Sequence, residues 1–501
     1  MTESSRAGRR EWIGLAVLAL PSLLISMDLT VLNLAVPSLS ADLRPSAAQL
    51  LWIVDIYGFL IAGSLITMGA LGDRIGRRRL LLIGGTAFGT ASILAAFSTS
   101  AEMLVFSRAI LGVAGATLMP STLSLIRNMF HDPAQRTVAI GVWTTSFSVG
   151  GIIAPLVGGI LLEHFWWGSV FLVAVPVMLS LLIVGPLLLP EFRDPDAGRL
   201  DLVSAGLSLV AILAIIYGVK RIAEGSANGV PELAILVGLG LGAVFVRRQL
   251  VLADPLIDLA LFRSSRFCAA LVTNLLSFFV MFGAFYFVAL YLQFVLGLTP
   301  WIAGLWTVPS SVGFIITTVL LPLVTRRLAP LATIATGLAI ASVGFAVLAL
   351  VDGTNGLAAV VVGPTIFALG FPLVFILTTD LVVGSAPPER AGAASAISET
   401  AVELGGALGI AVLGSIGTAV YRREMASVSL PDLGASALEA ARTSLSGAVT
   451  VAGQLGDGVG PVLLESARVA FAQSMSVVSA VSVAIVLAAA AMNLLLARRQ
   501  S

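Results

Sequence analysis

The stretch Gly69-Ala-Leu-Gly72-Asp73-Arg74-Ile-Gly76-Arg77-Arg78-Arg79 is a short basic turn between two apolar runs, near residues 50–71 and 80–98. Each run has roughly the 20 residues that a helix needs to cross a bilayer. A turn this short suits two antiparallel transmembrane helices that share a charged end. Glycines let the chain turn close to a packed helix end, Asp73 can accept from backbone amides at a helix N-terminus, and the arginines can pair with acids or lipid headgroups. Arginines on a cytoplasmic loop also need no role beyond setting topology. The residues alone therefore leave both a gating turn and a plain topological signal open.

Outward from this turn, long apolar runs and short polar breaks repeat along the chain. The runs lie near 12–36, 50–71, 80–98, 102–126, 137–162, 167–189, 201–219, 232–246, 267–294, 300–323, 331–351, 356–383, 391–420 and 469–497. This pattern predicts an all-α membrane protein with fourteen transmembrane helices. Composition agrees: 58% of the 501 residues are hydrophobic and 11% are charged, against roughly 25% charged in soluble domains. Arg6, Arg9 and Arg10 before the first run resemble the start of a secretory signal, but the apolar run is too long for a signal core and is expected to be the first span.

Composition also excludes several functions. A net charge of +1 without an extended basic patch gives no reason to expect nucleic acid. Cys268 has no partner for an intrachain disulfide. His131 and His164 fall in separate short loops without further ligand candidates, so no metal site is expected. No Gly-x-Ser-x-Gly elbow, metal-spaced His/Glu set or phosphate-cradling loop suggests an enzyme. Acids placed in separate halves suit a gated central site better than the continuous ring of a passive channel.

With the N-terminus inside, 20 of the 28 basic residues fall on the cytoplasmic side, seven fall outside, and Arg108 lies within a span. Both termini are accordingly expected in the cytoplasm. The reading divides the chain into a six-span bundle at 1–190, two extra spans with a cytoplasmic linker at 191–266, and a second six-span bundle at 267–501. The linker section 247–266, with basic ends and an apolar middle, is expected to form an interfacial helix. The long external loop at about 421–468 carries Leu438, Ala441, Leu445 and Val449 at helical spacing, as a helical hairpin would; a disordered linker is the alternative. A weak repeat, Ser46 to Arg79 against Thr299 to Arg327, supports two related halves, a transporter architecture.

The spacing of the Gly69–Arg79 turn resembles the signature turn of the major facilitator superfamily. Met27-Asp28-Leu-Thr30-Val-Leu-Asn33-Leu-Ala-Val-Pro37 and Trp52-Ile-Val-Asp55-Ile-Tyr57 resemble the first and second spans of its fourteen-span drug:proton antiporters, the QacA-like multidrug efflux pumps. Arg108 with Gly112 and Gly115 resembles the fourth-span motif. Gly150, Pro155, Gly158 and Gly159 resemble the fifth-span antiporter motif, with Ala154 where a glycine is usual. The resemblance covers nearly the whole chain. It implies a monomeric exporter of lipophilic cations such as quaternary ammonium compounds and dyes, without a cofactor and driven by inward proton flow. The setting it implies is a bacterial inner membrane, and the Ala/Arg-rich composition with a single lysine, Lys220, suits a high-GC bacterium. It makes Gly69, Gly72, Asp73, Arg74, Gly76, Arg77 and Arg78 a cytoplasmic gate. Because fold does not fix substrate, a carrier of lipids, siderophores or metabolites stays the alternative, and a non-transport membrane protein is the more remote one.

The residues that carry chemistry are the charges inside spans, since each costs about 2.5–3.5 kcal/mol on insertion scales. Glu399 and Glu403 are four apart, so they share a helix face among small residues that allow tight packing. Two carboxylates in a confined cleft cannot both ionise cheaply, the condition for groups that bind and release protons near neutral pH. Proton coupling is expected of Glu399 first, then of Glu403; a structural hydrogen-bonded pair is the alternative. Asp55, with Trp52 and Phe59 on its face, suits an organic cation or an outer-gate hydrogen bond. Asp28 could relay a proton, sense substrate charge or anchor its span. Arg108 could snorkel to the surface or pair with an acid, and the resemblance favours pairing as part of proton transfer. Tyr57, Phe59, Trp306, Phe282 and Tyr286 complete the expected substrate contacts, although span aromatics are more often packing. Asp380, near the end of its span, is expected to be hydrated.

Overall fold

The computed structural model describes residues 7–45, 47–193, 201–223, 229–252, 255–257, 259–351, 353, 356–387, 391–426, 428, 435–455 and 458–498. Within the helices, the side chains of Thr30, Asn33, Asp55, Pro155 and some others lie outside the described residues. Among the described residues the chain is helical, with no strand. Its first half contains α1 (Arg9–Leu43), α2 (Ala47–Ile75), α3 (Arg77–Ala96), α4 (Ala101–Met129), α5 (Pro133–His164), α6 (Ser169–Leu172), α7 (Ala174–Leu188), α8 (Leu202–Ala223) and α9 (Val230–Val251). Then follow α10 (Ser265–Leu290), α11 (Pro300–Thr325), α12 (Pro330–Ala349), α13 (Leu357–Gly384), α14 (Ala391–Ala426), α15 (Ala435–Thr443), α16 (Leu445–Gln454) and α17 (Val459–Arg498).

Thirteen helical stretches among the described residues are long and apolar enough to cross a membrane. The 32-residue α5 occupies the place of the remaining expected span. In lipid a helix satisfies its own backbone, which is why these apolar runs are helical. Polar caps set several starts: Ser100 accepts from the Met103 amide at 3.2 Å, and Asp132, ahead of Pro133, accepts from the Gln135 amide at 2.8 Å.

Spatial proximity gathers the residues into two compact units. The first comprises Met1–Gly218, Asn228–Val272 and Ile376–Glu403; the second comprises Val219–Ala227, Thr273–Phe375 and Leu404–Ser501. Most of α8 and α9 therefore groups with the first six spans, and α13 and α14 are each divided between the units. The reason lies at Gly63 of α2, where an added Cβ would stand 2.6 Å from Leu209 of α8. Small residues let helices approach this closely, so α8 rests directly on α2.

In the first unit, α1 packs on α5 and α4 packs on both α2 and α3. Gly150 of α5 leaves no room for a Cβ against the Leu23 carbonyl of α1. In the second unit, α12 packs along α17. The segment expected as an external loop holds α15 and α16. The Tyr421 hydroxyl at the end of α14 donates to the Ala441 carbonyl of α15 at 2.9 Å.

Two expectations change. The section expected to form an interfacial helix at 247–266 contains the end of α9, a five-residue 3₁₀ turn at Leu259–Arg263 and the start of α10. Pro255 is the physical reason, since it cannot sit in a helix interior without removing a hydrogen bond. The next amide, Leu256, is taken instead by the Gln249 side chain at 2.7 Å. In addition, α17 starts at Val459, ten residues before the expected 469. Glu465 and Arg468 in its first turns hide it from a search for apolar runs.

Candidate functional site

Within the first unit, α4 carries Arg108 into a completely buried position, 0% exposed. Its Nη1 pairs with Asp28 Oδ2 of α1, and its Nε donates to the Ile53 carbonyl of α2 at 3.2 Å. Its guanidinium lies 4.4 Å from the centre of the Tyr57 ring. A buried guanidinium needs a counter-charge and acceptors for its fixed fork of donors, and these three helices supply both. Of the two sequence readings for Arg108, snorkelling is excluded by this burial. Tyr57, expected among substrate contacts, is itself fully buried. It lies against the ion pair and within electrostatic reach of Asp28, Arg108 and Glu403.

The Gly69–Arg79 turn is built from two helix N-termini, each met by a carboxylate. Asp73 accepts from the amides of Gly392 at 3.3 Å and Ala393 at 3.0 Å, in the first turn of α14. It also pairs with the buried Arg77, whose Nη2 donates to the Gly69 carbonyl at 2.6 Å. A Cβ at Gly392 would collide with the Arg77 guanidinium. Gly76, at φ +108°, turns the chain where a side-chain cap would otherwise sit. The missing cap comes from outside the helix: Glu191, just past α7, accepts from the amides of Arg78 at 3.0 Å and Arg79 at 3.1 Å. Arg78 returns a bond to the Leu189 carbonyl at 3.0 Å. Arg74 donates to the Ala70 carbonyl one turn back.

Glu399 is 4% exposed on α14, and no described residue donates a hydrogen bond to it. Glu403 follows one turn later on the same face and is partly buried. A second charged contact joins α5 and α13: Arg136 Nε donates to Asp380 Oδ1 at 2.5 Å, and the Thr137 hydroxyl donates to its other oxygen at 3.3 Å. Asp380, expected to be hydrated, is instead held in this largely buried pair.

The remaining expected residues are dispersed. The side chains of Asp55 and Pro155 lie outside the described residues. Trp52 and Phe59 meet edge to face, centroids 6.4 Å apart. In the second unit, Phe282, Tyr286 and Trp306 each expose about two-fifths of their surface, and Phe282 caps a stack through Phe278, Phe375 and Phe371. Gly158 packs on Val31, while Gly159 has open space around it. No group of three metal-ligating side chains occurs among the described residues.

Sequence reasoning missed Glu191, Arg136 and the end of the α8–α9 hairpin. At that end Arg248 donates to Asp201 at 2.8 Å, and the buried Gln249 donates to Ser204 at 2.8 Å. The Arg248 hydrogen bond, helped by Ser204 and the Val203 amide, holds the Asp201 carboxyl well below the usual carboxylate range. Only Glu191 gave a usable signal: an acid three residues before a Pro and Asp run, at the exit of the sixth span.

The sequence matches the family model of the Major Facilitator Superfamily over residues 18–410. It is 46% identical over 489 residues to the multidrug efflux pump LfrA of Mycolicibacterium smegmatis, covering 97% of this chain and 96% of that one. It is 37% identical over 482 residues to the methyl viologen resistance protein SmvA of Salmonella typhimurium, covering 93% and 94%. The human organic anion transporter MFSD10 shares the fold, with a TM-score of 0.59 at 15% identity over 95% of this chain and 99% of that one. With a matching family, near-full-length relatives and a shared fold, the chain belongs to the Major Facilitator Superfamily, a family of carriers rather than enzymes, among its multidrug efflux transporters.

Proposed function

We propose that this multi-pass membrane protein exports lipophilic cations in exchange for protons, by alternating access, from the cytoplasm of a bacterial cell with both termini inside. The observation that carries the reading is Glu399: a carboxyl group buried on a membrane helix, without a described hydrogen-bond donor, one turn from a second carboxyl. Such a group is costly unless it changes protonation as part of function. Proton exchange at Glu399, with Glu403 beside it, and at Asp28, whose charge is balanced by Arg108, drives the cycle without a cofactor.

Cation recognition falls to Asp55, to the Trp52 and Phe59 rings that meet on the same helix, and to the exposed aromatic faces of Phe282, Tyr286 and Trp306. A cation–π contact contributes about 0.5–2 kcal/mol, most where water is excluded. One relative is named for resistance to methyl viologen, a flat dication, and acidic sites suit such a ligand. The Asp73 and Arg136–Asp380 contacts act as the cytoplasmic gate, made and broken once per cycle. The test is efflux of ethidium, a fluorescent cation, from whole cells with and without a protonophore: efflux should stop when the proton gradient collapses. Unchanged efflux would refute proton coupling.

A further inference from the structure

Within the second unit, Phe278 and Phe282, one turn apart on α10, meet Phe371 and Phe375, one turn apart on α13, in a continuous run of rings. Measured between ring centres, Phe371 and Phe375 lie 5.0 Å apart at 8°, Phe375 and Phe278 lie 4.1 Å apart at 21°, and Phe278 and Phe282 lie 6.0 Å apart at 30°. Other rings of α10 meet their neighbours edge to face: Phe285 with Phe367 at 88° and Tyr286 with Phe287 at 89°. Both geometries are favourable for aromatic pairs. The near-parallel run is thus a distinct arrangement along one line of residues.

The run is closed at one end and open at the other. Phe371 and Phe375 are buried, Phe278 is partly buried, and Phe282 exposes about two-fifths of its surface. A ring face carries the negative part of the aromatic quadrupole, so an open final face attracts a flat, electron-poor ring. The Phe282 ring lies along the buried Gly406 of α14, where an added Cβ would stand 3.4 Å from its Cγ and Cδ2. Along α14, Glu399, Glu403 and Gly406 have the spacing of one helix face. Ionisable residues of a span face the bundle interior or a water-filled cavity. The Phe282 ring therefore borders an interior stripe of α14 rather than a lipid-facing one.

We propose that the open end of this stack is a recognition site for planar aromatic cations, and that Phe282 ranks them above tetrahedral cations of equal charge. A flat cation with its charge spread over fused rings can lie parallel to Phe282 and continue the run, gaining ring–ring and cation–π contact across a whole face. A tetraalkylammonium ion is still drawn to the ring by its charge, but it has no plane to stack. It forgoes the ring–ring share. The three rings behind Phe282 fix its orientation before a ligand arrives, which lowers the entropy cost of docking. This inference rests on the cation-export reading above and adds to it a preference of shape, set by a ring stack and separate from the preference for positive charge.

The test compares two monovalent cations on the full-length protein in detergent: ethidium, whose fused rings are flat, and tetrabutylammonium, which is tetrahedral. Ethidium binding is read by its fluorescence and tetrabutylammonium binding by calorimetry. Phe282→Leu keeps apolar bulk without a ring and should lower the ratio of ethidium to tetrabutylammonium affinity roughly three- to tenfold, the worth of one aromatic pair. Phe282→Tyr restores a ring and should return that ratio to within about twofold of wild type. An unchanged ratio in Phe282→Leu, or a ratio in Phe282→Tyr as low as in Phe282→Leu, overturns the inference. Should Phe282→Leu fail to fold, Phe282→Met is read in the same way, since its flexible side chain fills irregular gaps. Wild-type protein that binds neither cation would overturn the cation-export reading together with the inference. Wild-type binding of both, with a ratio that Phe282→Leu does not change, overturns the inference alone.

Discussion

Arg108 has no exposed surface, so its charge is supported by Asp28, the Ile53 carbonyl and the Tyr57 and Phe171 rings. Removing one partner of a buried pair leaves an uncompensated charge and costs about 3–5 kcal/mol. Asp28→Leu should accordingly lower the thermal unfolding midpoint sharply, and Asp28→Leu with Arg108→Met should restore much of it, as checked by thermal-shift fluorescence in detergent. Arg108→Lys should not restore transport, because a point charge cannot form the same fork and stack together. The sequence already singled out Asp28, Arg108, Glu399 and Glu403, since a charge inside an apolar run stands out by composition alone. It could not pair them. Asp28 and Arg108 are 80 residues apart, and only packing of α1, α2 and α4 decides which acid the guanidinium meets. Tyr57 was legible as an aromatic residue, but not as the platform beneath that guanidinium.

Among the elements, α3 has its N-terminal amides capped by an acid more than a hundred residues away. Losing a cap typically costs about 0.5–2 kcal/mol. Glu191→Ala should therefore loosen the Gly76–Arg79 turn, seen as faster hydrogen exchange at the Arg78 and Arg79 amides, and reduce transport. Glu191→Gln, which can still accept hydrogen bonds, should fall between Ala and wild type. The α8–α9 hairpin yields a pH prediction. The Asp201 carboxyl is held below its usual range by Arg248, so its contribution to stability is fully present above the unfolded value of about 3.9 and fades only as pH falls through the folded value. Protection at the start of α8, taken relative to the base-catalysed exchange rate of an unfolded amide at each pH, should be constant from about pH 5 to 8 and fall only in stronger acid; a loss of protection near neutral pH would contradict the assignment. Helices were legible wherever an apolar run reached membrane length. Their ends were not, because Glu465 and Arg468 open α17 with polar residues and Pro255 breaks an apolar stretch that reads as helix.

For the whole molecule, the charge moved per cycle sets what the exchange can drive. One proton exchanged for one monovalent cation moves no net charge, leaving only the pH gradient, about 1.4 kcal/mol per unit. A dication such as methyl viologen exchanged for one proton would move against the membrane potential, at about 2.3 kcal/mol per charge per 100 mV. Two or more protons remove that penalty, which gives several buried carboxyl groups a use. Dication export should accordingly show at least two protons per cation. The general architecture was legible in the repeated spans and the Gly69–Arg79 turn. The grouping of α8, and of the start of α14, with the first unit was not, because it rests on close approaches at Gly63 and Gly392 that apolar composition does not encode. The central claim rests on Glu399. In inverted membrane vesicles with an imposed pH gradient and the potential clamped at zero, wild-type protein should accumulate ethidium, and Glu399→Gln, folded and present at equal level, should accumulate none above background. Undiminished accumulation by Glu399→Gln would contradict the account.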